Sequence, residues 1–276
     1  MENNRTSFGS NFGFLMAAIG SAVGLGNIWG FPYKMGMSGG FAFLLVYLVL
    51  AIFVGLAVMV GELTIGRKTG LSPVAAYRKL SKKFTWLGYM AVLVPFLVLC
   101  FYFVLGGMVT RYALGYLTAI FGWNTWNVSD IADFFGSFIL NGGSMILWTA
   151  IFIAINAFVV AAGVADGIEK FCKVGMPALF VMLLIVIIYV ACQPGAGGGY
   201  KFMFGWNIKP LQEDFLKVLK TAAGQMFFSL SLGMGAMITY GSYLKKQESV
   251  QKNAVIVVIC DTLVAIMACM IVMPAC

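Results

Sequence analysis

Apolar residues run along this chain in seven long blocks, at about 11–33, 41–66, 85–120, 144–163, 168–192, 216–243 and 254–275. A helix needs about 20 predominantly apolar residues to cross the hydrocarbon core of a bilayer. Each block therefore predicts a membrane-spanning helix, and the third is long enough to predict one that tilts or projects. Between the fifth and sixth blocks, Gln193-Pro194-Gly195-Ala196-Gly197-Gly198-Gly199 reads as a flexible outer loop. Two blocks are interrupted midway, at Gly20-Ser21-Ala22-Val23-Gly24-Leu25-Gly26-Asn27 and at Ser229-Leu230-Ser231-Leu232-Gly233-Met234-Gly235. Unpaired backbone groups cost several kcal/mol in hydrocarbon, so chain unwinds there only where protein or a polar cavity surrounds it. A pair of glycine-broken spans points to a binding site near the bilayer midplane.

In the first break, Gly20, Gly24 and Gly26 let the backbone open and let a ligand approach. Opened half-helix ends attract a carboxylate at their N-termini and a cation at their freed carbonyls. Asn27 adds a side-chain oxygen, and Pro32 removes a further donor. The spacing of Gly20 and Gly24 also suits close helix packing. In the second break, Ser229 and Ser231 supply hydroxyls while Phe228 and Met234 supply apolar walls. Serine in a membrane helix also often bonds only to a backbone carbonyl.

Composition agrees with the pattern. Hydrophobic residues make up 61% of the 276, charged ones 10%, and mean hydropathy is +0.94. The chain reads as an all-α polytopic membrane protein. The net charge of +8 follows topology rather than a nucleic-acid partner. With the N-terminus on the cytoplasmic side, the inner segments hold twelve basic residues: Arg5, Arg67, Lys68, Arg78, Lys79, Lys82, Lys83, Lys170, Lys173, Lys245, Lys246 and Lys252. The outer segments hold Lys34, Lys201 and Lys209. The positive-inside rule selects that orientation in the plasma (inner) membrane. Trp123, Trp126 and Trp206 fall in outer loops, as interfacial aromatics do. No histidine is present, and the six cysteines, mostly in apolar stretches, predict buried free thiols. Nothing resembles a cleavable signal peptide. The apolar end, Met270 to Cys276, is what a chain cut before its natural terminus would show.

Two carboxylates lie within apolar blocks, Glu62 in the second and Asp261 in the seventh. Such residues are rare and functional by default. Asp261 is a candidate Na⁺ ligand; its alternative is a protonated side chain bonded to a neighbour. Glu62, nearer the inner interface, could instead snorkel or cap. Tyr102 in the third block carries a polar handle on a packing ring. No nucleophile–base pair or metal cluster suggests an enzyme.

These stretches resemble the neurotransmitter:sodium symporter family, which has the leucine-transporter fold with inverted repeats. The resemblance rests on Gly20 to Trp29 with Phe31-Pro32-Tyr33, on Gly61-Glu62-Leu63 with Gly66-Arg67, on Gly224 to Gly235, and on Ile238-Thr239-Tyr240. It implies two inverted five-helix repeats. Residues 1–192 would be the first, unwound near 22–26. An outer loop at 193–215 would follow, and 216–276 would begin the second, unwound near 231–235. The first seven transmembrane helices would thus be present.

The resemblance further implies Na⁺-coupled amino acid symport with one or two ions. One sodium site would take Ala22, Asn27, Ser229 and Asp261. A second would take carbonyls of Gly20 and Val23, with its other ligands on an eighth helix absent here. The substrate carboxylate would sit near Leu25, Gly26 and the Tyr102 hydroxyl. Ala22, Val98, Phe228, Ser229, Ser231 and Met234 would complete the pocket. Glu62 would bond to the unwound part of the sixth span, with Gln225 in support, and Arg5 with Tyr243 would form an inner gate. Gly167 and Pro177 match a pattern in bacterial members whose fifth helix unwinds to hydrate the inner sodium. Four positions depart from the family: Gly30 for an arginine, Met234 for a phenylalanine, Ser229 for a threonine and Asp261 for an asparagine. With Asp261 charged and Ala265 offering no hydroxyl, chloride is not expected to be required. Met234, unbranched, leaves room for a larger apolar or aromatic substrate of the tryptophan, tyrosine or leucine type. Rival readings are a truncated, non-transporting binding or interaction module and, less well supported, a channel. Lipid and a small-molecule amino acid are the expected partners, and a homo-oligomer is left open.

Overall fold

Uninterrupted apolar sequence leaves most of these segments one way to satisfy their backbone in lipid, as helix. A computed structural model of the chain describes residues 8–122, 131–245 and 247–276, apart from the side chains of 131–133 and 165. Arg5, Trp123, Trp126 and Lys246 lie outside those residues. Among the described residues, thirteen helical segments follow in order. Asn11–Ala22 (α1) and Gly26–Met37 (α2) form a bent pair at 49°. Phe41–Thr69 (α3) and the short amphipathic Pro73–Leu80 (α4) come next. Thr85–Ile120 (α5) runs 36 residues without interruption, across Pro95. Ile131–Leu140 (α6) and Gly142–Ala161 (α7) precede Lys170–Ala191 (α8), which is entered through a π-helical turn, Val164–Glu169. Ala196–Phe204 (α9), Lys209–Glu213 (α10), Phe215–Ser229 (α11), Ala236–Ser242 (α12) and Val250–Ala275 (α13) complete the chain.

Five helices are long and apolar enough to cross a membrane, and the α1–α2 pair would make a sixth. The protein is a multi-pass membrane protein. The block at 216–243 divides into α11 and α12, of 15 and 7 residues, with 230–235 between them outside any helix.

The chain separates into two units, residues 1–92 with 164–276, and Leu93–Gly163. In the first, Phe14, Ile19, Phe31, Phe43, Tyr47, Met59, Leu63, Met226 and Met237 are fully buried. Phe31 meets Phe43 and Tyr47 edge-on, with centroids 5.2 and 4.7 Å apart. Small residues let helices touch backbone to backbone, the usual means of association where lipid is as apolar as leucine. A Cβ on Gly66 of α3 would overlap the Ile238 carbonyl of α12, and one on Gly241 of α12 would lie 2.5 Å from the Leu63 carbonyl.

In the second unit, a Cβ on Gly107 would come within 2.6 Å of the Thr149 nitrogen on α7. Arg111, an intramembrane cation that the loop charge count passes over, stacks on Phe134 and Trp148 at 5.0 and 5.6 Å.

Two expectations, on the glycine-rich stretch and on the cysteines, need correction. The glycine-rich stretch after the fifth block is not a free loop: from Ala196 it is helix α9, and Gly199 abuts the backbone of Met273 and Pro274 in α13. Glycine there provides contact, and the Tyr200 hydroxyl donates to the Met270 carbonyl at 3.2 Å beside it. Gly167 lies in the π-helical turn Val164–Glu169 and Pro177 inside α8. Of the six free cysteines only Cys172 and Cys269 are buried; Cys100, Cys192 and Cys276 are exposed. A thiol is small and apolar enough to face outward from a membrane helix without cost, so an apolar neighbourhood in sequence did not mean burial in the fold.

Candidate functional site

Helix α1 stops at Ala22, and Val23 turns to extended backbone (ψ 118°). The Gly24 N–H then donates to the Asn27 side-chain oxygen at 3.0 Å, so Asn27 bridges the opening between α1 and α2. Gly20 lies within α1 rather than in the break. A Cβ there would stand 2.9 Å from the Cys172 sulfur, so its role is close packing, while Gly24 has open space around it.

The second break is held in a strained form. Ser231, Gly233 and Gly235 have φ of 52°, 76° and 68°. Only the two glycines adopt that region without penalty. Ser231 is held there while its hydroxyl donates to the Ser21 carbonyl at the end of α1, at 3.1 Å. The Gly233 N–H donates to Glu62 Oε1 at 2.7 Å, joining α3 to the broken segment. Gln225 Nε2 donates to the Gly26 carbonyl at 2.8 Å. The two broken helices are thereby tied to each other at both faces of their openings.

Asn27, Ser229 and Asp261, far apart in sequence and each essentially inaccessible, meet at this junction. Asn27 Nδ2 donates to Ser229 Oγ (2.9 Å), to the Asp261 carbonyl (3.1 Å) and to Asp261 Oδ1 (2.8 Å). Ser229 Oγ donates to Asp261 Oδ2 at 2.8 Å. Among the described residues, neither Asp261 nor Glu62 forms a salt bridge. A buried carboxylate held only by neutral donors is costly unless a positive charge joins it. The hydroxyls of Tyr47 and Thr262 lie beside this cluster. The oxygens gathered here, from the Asp261 carboxylate and the hydroxyls of Ser229, Tyr47 and Thr262, suit a hard cation better than a soft metal, while the Asn27 oxygen is turned to Gly24.

Tyr47 was missed from sequence because it stands in an otherwise apolar run; only the packing of α3 beneath Asp261 gives it a role. The Lys34 ammonium sits 5.8 Å from the Phe228 ring centroid, a cation beside an aromatic of the second break. Leu25, Met234 and Ala22 flank the two openings. Val98 and Tyr102 belong to the second unit, where the Tyr102 ring packs edge-on against Phe101 at 5.1 Å. Tyr243 packs edge-on against Phe8, with centroids 6.0 Å apart; its expected partner Arg5 is outside the described residues.

Comparison with known proteins gives the family and the fold. A model of the "Sodium:neurotransmitter symporter family" matches residues 5–138 and 137–275. The uncharacterized sodium-dependent transporter YhdH of Bacillus subtilis is 34% identical over 99% of this chain and 60% of its own length. An uncharacterized sodium-dependent transporter of Haemophilus influenzae is 33% identical over 99% of this chain and 62% of its own. The crystal structure of MhsT in complex with L-phenylalanine superposes with a TM-score of 0.90 at 40% identity, over 99% of this chain and 61% of MhsT. The chain thus spans about three fifths of the length of these relatives. With the family matched along nearly its whole length and the fold matched to a solved relative, this chain belongs to the sodium:neurotransmitter symporter family.

Proposed function

We propose that the chain forms the ion- and substrate-binding part of a Na⁺-coupled amino acid symporter working by alternating access. The observation that carries this reading is the Asn27–Ser229–Asp261 cluster, a buried carboxylate with no salt-bridge partner among the described residues, at the junction of two broken helices. Asp261, Ser229, Asn27 and the Ala22 carbonyl hold one Na⁺, with Tyr47 and Thr262 as neighbours able to reorient toward it. Carbonyls of Gly20 and Val23 contribute to a second. Coupling follows if substrate and Na⁺ must occupy the same state, since each then raises the affinity of the other.

The substrate is an apolar or aromatic amino acid, held at the opening lined by Leu25, Gly26, Phe228, Ser231 and Met234. MhsT, crystallised with L-phenylalanine, supports that class. Residues 1–192 act as the first repeat and 216–276 as the start of the second, with the N-terminus cytoplasmic. The test is binding of radiolabelled tryptophan, tyrosine and leucine to the purified chain in Na⁺, and in K⁺ in its place. Saturable binding in Na⁺ alone is expected; equal binding in both salts would overturn the ion assignment.

A further inference from the structure

Glu169 is a carboxylate that the binding site does not use, and it is 2% exposed. It ends the π-helical turn leading into α8, and it meets the chain at the start of α1. Glu169 Oε2 accepts the Gly9 N–H at 2.9 Å, and Oε1 pairs with the Lys173 ammonium at 2.6 Å. The start of α1, capped by Ser10, presents partial positive charge to this carboxylate. Gly13, one turn along, has no room for a side chain: a Cβ there would overlap the Glu169 carboxyl group. The opposite flank of the same segment is held by weaker, neutral or exposed contacts. Asn253 Nδ2 donates to Asn11 Oδ1 at 3.1 Å, and the exposed Lys245 ammonium donates to the Gly9 carbonyl at 3.3 Å.

We propose that Glu169 is a positioning residue that latches α1 onto α8, and that α1 leaves α8 only when this carboxylate releases Gly9. Resting on the symporter reading, the latch sets how often the half of the broken first span that carries the N-terminus swings open. Among these polar contacts it is the buried charged one, beside the aromatic packing of Phe8 on Phe14, Tyr240 and Tyr243. Gly13 is the complementary half of the device, a missing side chain that makes space for the carboxyl group.

The chain carries its own reporter. Cys172 lies on α8, buried, with its sulfur facing Gly20 of α1. The experiment is N-ethylmaleimide modification of the full chain in membranes, with the rate at each cysteine read by peptide mass spectrometry. Glu169→Ala is expected to raise the Cys172 rate about tenfold, the shift that loss of one charge-assisted hydrogen bond produces. Glu169→Gln is expected to raise it less. Gly13→Ala is expected to act like Glu169→Ala, because its methyl displaces the carboxyl group. The double variant is expected to be no faster than Glu169→Ala alone, because the methyl then fills vacated space. Buried Cys269 on α13 is expected to stay unreactive throughout. An unchanged Cys172 rate in Glu169→Ala, additive single effects, or a parallel rise at Cys269 each overturns the latch. Comparing Na⁺ with K⁺ in the unaltered chain tests the symporter reading separately: no ion effect there counts against coupling and leaves the latch result intact.

Discussion

Asp261 is the residue on which ion binding turns. Its carboxylate already uses both oxygens to accept from Asn27 and Ser229, so removing the charge removes attraction for a cation while leaving most of the packing. Asp261→Asn is expected to weaken Na⁺-dependent substrate binding about tenfold or more, at about 1.4 kcal/mol per decade. Replacing chloride by gluconate is expected to leave binding by the unaltered chain unchanged, since Asp261 supplies the negative charge and Ala265, buried one turn on, offers no hydroxyl to an anion. A loss of binding in gluconate would refute the second expectation. Ser231 offers a different test, because it combines a left-handed backbone with a hydroxyl bonded to Ser21. Both Ser231→Ala and Ser231→Gly lose the bond, but only glycine sheds the strain. The glycine variant is therefore expected to be more stable by about 1 kcal/mol in thermal unfolding; the reverse order would show that the left-handed conformation carries no strain there. Asp261, Asn27 and Ser229 were legible in sequence because polar groups are rare in apolar blocks. Tyr47 and Thr262 were not singled out, because a hydroxyl in an apolar run acquires meaning only from what packs beside it.

At the scale of elements, glycines served two purposes that sequence spacing does not separate. Gly233 and Gly235 permit left-handed backbone where the sixth block opens, whereas Gly20, Gly66, Gly199 and Gly241 bring helices into contact. The difference is measurable. Gly66→Leu is expected to force α3 away from α12 and to destabilise the protein by about 1–3 kcal/mol, the usual range for an overpacked contact. Gly61→Ala, on the same helix but with open space around it, is expected to be near neutral. Equal thermal stabilities for the two variants would contradict the packing assignment. The same distinction explains the misread stretch after Gln193. Three successive glycines look like a flexible linker in isolation, but the α13 backbone lies against one of them and the chain winds into α9.

For the whole molecule, hydropathy alone was enough to establish a multi-pass helical protein, since lipid leaves an apolar segment little choice but helix. The two interruptions were visible as well, because glycine, serine and asparagine clustered midway along a span have few structural explanations. The resemblance already grouped Asn27, Ser229 and Asp261 and paired Glu62 with the sixth span; which atoms meet there was decided by the tertiary structure. It brought Asn27 within reach of Ser229 and Asp261 across separations of 202 and 234 residues, and set Glu62 under the Gly233 amide. It also gave Glu169, which has no assigned role in the sequence, a partner 160 residues away. The physical reason lies in range. Burial in lipid and backbone satisfaction are local requirements that each segment declares by itself. Compensation of a buried charge and close approach of two backbones are pairwise requirements, and only packing determines which pairs meet.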